Sequence, residues 1–209
     1  MLTTKLFQHR YLPARKKGER EKVLVVLHGL GDSLHGFSFL PEALNIDELS
    51  YLMVNAPDEY YGGYSWYDFG DPGSKVVRSR ELLFQLLTEL KDQGVESRDI
   101  FLFGFSQGCL MATDVGLRCP EILGGICGVS GYVAWMEEYP QQFSAVAKSQ
   151  HFLITHGHND PMVPFEPAAL QFQKLHTLGI NIDFRPYDKV HTILENELID
   201  IAAWFRGRM

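Results

Sequence analysis

The pentapeptide Gly104-Phe105-Ser106-Gln107-Gly108 sets a lone serine between two glycines, where the apolar run Asp99-Ile100-Phe101-Leu102-Phe103 gives way to helical spacing over Gln107 to Leu117. A serine on so tight a strand-to-helix turn sits on strained backbone with its hydroxyl pushed outward, as an activated nucleophile requires. The turn crowds the positions two residues to either side, and Gly104 and Gly108 supply the room. A serine in front of a helix also serves as a plain N-cap, satisfying orphan N–H groups without chemistry.

Chain order separates the two readings. Serine is a poor nucleophile at neutral pH; it needs an imidazole to take its proton and a carboxylate to fix that imidazole's tautomer and steady its charge. In hydrolases built on such a turn the acid and then the histidine follow the serine, each on a loop after a later strand. Here the strand pattern Phe152-Leu153-Ile154 leads into His156-Gly157-His158-Asn159-Asp160-Pro161, and the strand Ile182 to Tyr187 leads into Asp188-Lys189-Val190-His191. Asp160 and His191 therefore occupy the required places. His9, His35 and His151 precede the elements that would have to present them, His176 lies within a helical pattern over Phe165 to Leu178, and Asp183 lies inside a strand. Asp188 shares a loop with His191 and competes with Asp160 for the acid, but a triad draws acid and base from different loops. His156, His158 and Asp160 also form a two-histidine, one-carboxylate set of metal-ligand type, although the serine turn accounts for the aspartate without a metal.

The anion formed on attack needs two aimed N–H donors. Gln107, next after the serine at the positive end of its helix, provides one. A second belongs on a loop after an early strand, and the fully apolar Val23 to Leu27 delivers His28-Gly29-Leu30-Gly31-Asp32-Ser33. Asp32 or Ser33 is at the same time a candidate cap for a helix around Phe37 to Leu44. The aromatic stretch Tyr60 to Gly70 is a candidate roof for a substrate pocket, with Trp66, Leu34 and Met162 as apolar lining candidates.

These residues must be positioned by strands alternating with amphipathic helices. Val76, Leu83, Leu87 and Leu90 share one helical face, and Leu194, Leu198, Ala202 and Phe205 another. The alternation predicts an α/β fold with a mainly parallel sheet covered on both faces, in a single domain over 1–209. With 45% hydrophobic and 22% charged residues, the chain can bury a large core without staples. A net charge of −7 argues against a nucleic-acid partner. No apolar run reaches bilayer length and Met1 to Arg10 lacks a signal-peptide core, so stable membrane insertion is not expected and the cytoplasm is the expected compartment. Cys109, Cys119 and Cys127 are odd in number and lie in or beside core elements, which favours reduced thiols. The basic Arg15 to Arg20 patch reads as a solvated turn.

Taken together, His28-Gly29-Leu30-Gly31-Asp32, Ala56-Pro57, Trp66-Tyr67-Asp68, Gly104-Phe105-Ser106-Gln107-Gly108, Ser130-Gly131-Tyr132, and His156-Gly157 with Asp160 and Val163-Pro164 resemble the phospholipase/carboxylesterase family of α/β-hydrolases, which includes the acyl-protein thioesterases. The resemblance runs from about residue 22 to the C-terminal helix. It implies Ser106 as nucleophile, Asp160 and His191 as its partners, the amides of Leu30 and Gln107 as the oxyanion hole, a small-molecule ester or thioester substrate, and no cofactor. Three departures stand out. Asp188-Lys189-Val190 precede His191 where the family places a glycine, Cys109 stands where it commonly has another glycine, and the segment from Asp68 to Val76 is shorter than in thioesterases. The last points to short- to medium-chain acyl groups rather than those of a long-chain acyl-protein thioesterase or lysophospholipase. A non-catalytic ligand-binding protein on the same fold is the alternative of another class, and it would have no need of a base with its orienting acid.

Overall fold

The computed structural model describes residues 1–68, 73–134 and 139–209, with side chains described for all of these but 139 and 140. Phe69 and Gly70 of the aromatic stretch, and with them part of the segment after Asp68, lie outside the described residues.

In chain order the elements are β1 (His9–Leu12), β2 (Lys22–Leu27), α1 (Leu40–Leu44), β3 (Leu49–Val54), β4 (Asp58–Tyr60), β5 (Gly63–Ser65), α2 (Gly73–Asp92), β6 (Ile100–Phe105), α3 (Gln107–Arg118), β7 (Gly125–Val129), α4 (Tyr139–Gln142), β8 (His151–Gly157), α5 (Phe165–Thr177), β9 (Asn181–Tyr187) and α6 (Glu195–Arg206). Seven strands form one sheet in the order β1-β3-β2-β6-β7-β8-β9, with β1 antiparallel to β3 and every other pair parallel. β4 and β5 make a separate hairpin.

Alternation along the central strands divides the core. Val23, Val25 and Leu27 of β2 join α2, α3 and α5 on one side of the sheet, while Leu24 and Val26 face α1 and α6 on the other. Both faces of a parallel sheet must be covered, which is why β2 and β3 are apolar at nearly every position.

The helix expected over Phe37 to Leu44 is confined to Leu40–Leu44. Turns occupy the preceding residues, where the Ser38 hydroxyl donates to the His35 carbonyl, and the helix begins beside Pro41, whose missing N–H costs nothing at that position. Neither Asp32 nor Ser33 caps it, since the Asp32 carboxylate accepts from the Ser33 amide instead. The basic turn between β1 and β2 is exposed from Arg15 to Arg20, as expected of a solvated turn, with Arg15 pairing with Asp47 at 2.7 Å and Arg20 with Asp99 at 3.2 Å.

Strand order reverses direction at β2, which has β3 on one side and β6 on the other. In open parallel sheets the connections leaving such a switch point run to opposite faces and open a crevice at the carboxyl ends of the strands. The loops after β2 and β6 carry Leu30 and Ser106 to that crevice.

Candidate active site

Ser106 has φ 54° and ψ −113°, a conformation rare for a residue with a Cβ. Neighbouring backbone fixes it. The Ser106 amide donates to the Val129 carbonyl at 2.9 Å, and the Ser106 carbonyl accepts from Cys109 and Leu110 as α3 begins. A Cβ at Gly104 would collide with the Gly108 carbonyl, and one at Gly108 with the carbonyls of Leu27 and His28, so the two glycines let α3 start directly against the ends of β2 and β6. Cys109 fits for a related reason: its thiol fills space left by Gly128 and Gly131. Burial pushes that thiol up to about 12, so it stays protonated and inert.

The His191 ring donates from Nδ1 to Asp160 Oδ2 at 2.7 Å, because a carboxylate can only accept. Nε2 is thereby left as the acceptor. Asp160 is itself held, its Oδ1 accepting from the amides of Met162 and Val163 at 2.9 Å each. The loops after β8 and β9 are stitched together by His158 N–H to the Tyr187 carbonyl (2.9 Å) and Asn159 N–H to the Lys189 carbonyl (3.1 Å), which brings acid and histidine face to face. Asp188 instead accepts from the Asn159 side chain at 2.7 Å. His156 is buried with its pKa lowered by desolvation; Nε2 donates to the Val163 carbonyl, whereas His158 packs on the Phe165 ring. No three His, Cys, Asp or Glu side chains among the described residues are grouped to hold a metal ion.

Ser106, His191, Leu30 and Gln107 line one cavity of about 630 Å³. The backbone N–H groups of Leu30 and Gln107 have no acceptor within the protein among the described residues, so both are free to meet an oxyanion. The Leu30 loop is fastened from below. His28 accepts at Nε2 from the Ala56 amide and donates from Nδ1 to the Gly29 carbonyl, and burial lowers its pKa and holds it neutral. The Gln107 side chain fastens the neighbouring segment, accepting from Trp66 N–H at 3.0 Å and donating to the Tyr67 carbonyl at 2.9 Å.

Of the three apolar lining candidates, only Met162 reaches the cavity. Trp66 is fully buried against Phe7 and His28 with its indole N–H on the His28 carbonyl, and Leu34 is buried in the core on the α1 side with its amide on Asn55. Both positions follow from hydrogen bonds that turn these side chains inward, a constraint composition does not reveal. Trp66→Ala is accordingly expected to cost about 3–5 kcal/mol of stability, as large-to-small core changes do, while leaving the acyl-length profile unchanged. Chemical denaturation and an acyl-ester series measure the two. The cavity wall comes instead from Tyr67, Tyr132, Val163, Pro164, Ala168 and Gln171.

Sequence reasoning also missed the pair that holds the His191 loop. Lys189 Nζ lies 2.5 Å from Glu197 Oε1 and donates to the Thr192 carbonyl at 2.8 Å, and Glu197 Oε2 accepts from Leu194 N–H at 3.0 Å. Both side chains are fully buried, and desolvation lowers the lysine's pKa, offset in part by the glutamate. A cation thus ties down the glycine-free loop from within. A charged pair eight residues apart, spanning a loop and the first turn of a helix, was the available signal.

The profile of the phospholipase/carboxylesterase family matches residues 14–206. Acyl-protein thioesterase 1 of Schizosaccharomyces pombe is 33% identical over 68% of this chain and 69% of its own length. The Kluyveromyces lactis protein of the same name is 30% identical over 91% and 93%. Among solved structures, esterase PE8 superposes with a TM-score of 0.87 at 28% identity, covering 97% of this chain and 99% of that one. Arabidopsis thaliana SOBER1 gives 0.83 at 26% identity, covering 90% and 98%. With the profile spanning nearly the whole chain, the chain belongs to the phospholipase/carboxylesterase family of α/β-hydrolases and is an esterase-type hydrolase.

Proposed function

We propose that the protein hydrolyses carboxylic esters or thioesters through a covalent acyl-Ser106 intermediate, with His191 as general base and acid and Asp160 as its orienting partner. The observation that carries this reading is the 2.7 Å bond from His191 Nδ1 to Asp160 Oδ2 beside a cavity that also holds Ser106 and two amides without an acceptor among the described residues. Ser106 Oγ attacks the acyl carbon as its proton passes to His191 Nε2. The carbonyl oxygen, now anionic, accepts from Leu30 and Gln107 N–H. Nε2 then gives the proton to the departing alcohol or thiol. Water repeats the sequence on the acyl-serine, releasing the acid and restoring the hydroxyl. No cofactor is required.

The acyl group on this reading is short to medium. Each buried methylene contributes about 0.8 kcal/mol. The wall carries the Tyr67 and Tyr132 hydroxyls, 3.1 Å apart, and the Gln171 amide. A long chain laid over Tyr132 and Gln171 strips water from donors without replacing it, at about 1–3 kcal/mol each, which cancels the gain from several methylenes. Long-chain acyl-proteins or lysophospholipids are the second reading; the relatives' names, acyl-protein thioesterase, favour an acyl-protein as substrate. Across p-nitrophenyl esters from acetyl to palmitoyl, kcat/KM is expected to peak at short to medium chains. A steady rise to palmitoyl would establish the second reading instead.

A further inference from the structure

A second groove, of about 240 Å³, shares Asp32, Phe105 and His191 with the larger cavity and is walled further by Phe37, Phe39 and Ile193. Resting on the serine-hydrolase reading, its place in the reaction follows from geometry. With the oxyanion on the Leu30 and Gln107 amides and the acyl chain in the larger cavity, the departing atom must face His191 to receive its proton. The groove on that side receives the remainder of the alcohol or thiol.

Its chemistry is specific. Phe37 stacks on Phe39 with centroids 6.0 Å apart and meets Phe105 at 6.1 Å, while Phe39 is 44% exposed, so ring surface is open to a ligand. Asp32 is the one acid among the lining residues, with neither lysine nor arginine beside it. This half-buried carboxylate lines both cavities, accepts from the Ser33 amide through Oδ1, and has no ion-pair partner among the described residues. Gly36 borders the groove without a positive φ, so its backbone alone does not require glycine; a Cβ there would collide with both Asp32 oxygens. An absent side chain thus makes room for the carboxylate beside the aromatic rings.

We infer that this groove is a leaving-group subsite for a cationic alcohol or thiol, of quaternary or protonated ammonium type. Aromatic faces and a carboxylate attract such a centre and disfavour an anionic leaving group. The net charge of −7 adds to the bias.

The test compares butyrylthiocholine with 3,3-dimethylbutyl thiobutyrate, its neutral isostere, by release of thiol. The wild type is expected to favour the cation about tenfold in kcat/KM at low ionic strength, the preference shrinking as salt screens the carboxylate. Asp32→Asn keeps an oxygen for the Ser33 amide and is expected to bring the ratio near one, and Phe39→Ala to lower it in part. Equal rates on the two thioesters in the wild type, or a ratio that neither variant alters, overturns the subsite. A titration with tetramethylammonium chloride, followed by the ring resonances of Phe39, separates this failure from failure of the catalytic reading. If neither thioester turns over, shifts present in the wild type and absent in Asp32→Asn still establish the subsite, and their absence overturns it.

Discussion

Ser106→Ala is expected to lower turnover of any ester on the order of 10⁶-fold, the scale on which loss of a triad serine removes catalysis, while leaving the protein folded. Stability should hold because alanine keeps a Cβ at the same φ of 54°, so the strain of the turn is unchanged, and no side-chain hydrogen bond of Ser106 caps α3. The Gly104 and Gly108 contacts that fix the turn do not involve the hydroxyl. A fluorophosphonate probe is expected to label native protein at Ser106, to lose that label in Ser106→Ala, and to fail on heat-unfolded wild type. Native, folded protein that stays unlabelled would favour the ligand-binding alternative, and a Ser106→Ala variant active within about tenfold of wild type would place the nucleophile elsewhere.

Periodicity and glycine placement made the scaffold readable. β2, β6 and β8 appear as apolar runs because a parallel sheet buries both faces, and the serine turn shows because only glycine fits at positions 104 and 108. Chain order then singled out Asp160 and His191, which the structure brings to 2.7 Å of each other. What stayed hidden depends on where a side chain turns once tertiary contacts form. Trp66 stands in an aromatic, glycine-containing stretch that reads as a pocket roof, yet hydrogen bonds from its indole to His28 and from its amide to Gln107 draw it into the core. Tyr67 and Tyr132 were visible as members of motifs, but their shared hydroxyl contact needs residues 65 positions apart to meet. Lys189 and Glu197 carry charges that pattern assigns to the surface, and only the fold shows that each supplies the other's partner in the interior.

Asp160→Asn is expected to lower kcat about 10⁴-fold with KM little changed. The reason is local. Two backbone amides, of Met162 and Val163, point at Asp160 Oδ1, so an asparagine settles with its carbonyl oxygen there and turns its NH₂ toward His191. Nδ1 of the imidazole must then accept, its proton moves to Nε2, and the nitrogen that takes the Ser106 proton in the proposed mechanism becomes a donor when the reaction needs an acceptor. The charge that would steady the imidazolium is lost as well. The fold survives because the two amide bonds are kept and the side-chain volume barely changes. Asp188→Asn is the control: among the described residues its carboxylate meets only the exposed Asn159 side chain, so activity is expected to stay within about threefold of wild type, as for a surface polar contact. Steady-state kinetics on one p-nitrophenyl ester, with circular dichroism to verify folding, measures both. A 10⁴-fold loss in Asp188→Asn beside near-native Asp160→Asn would move the acid to position 188 and break the link between the 2.7 Å contact and catalysis.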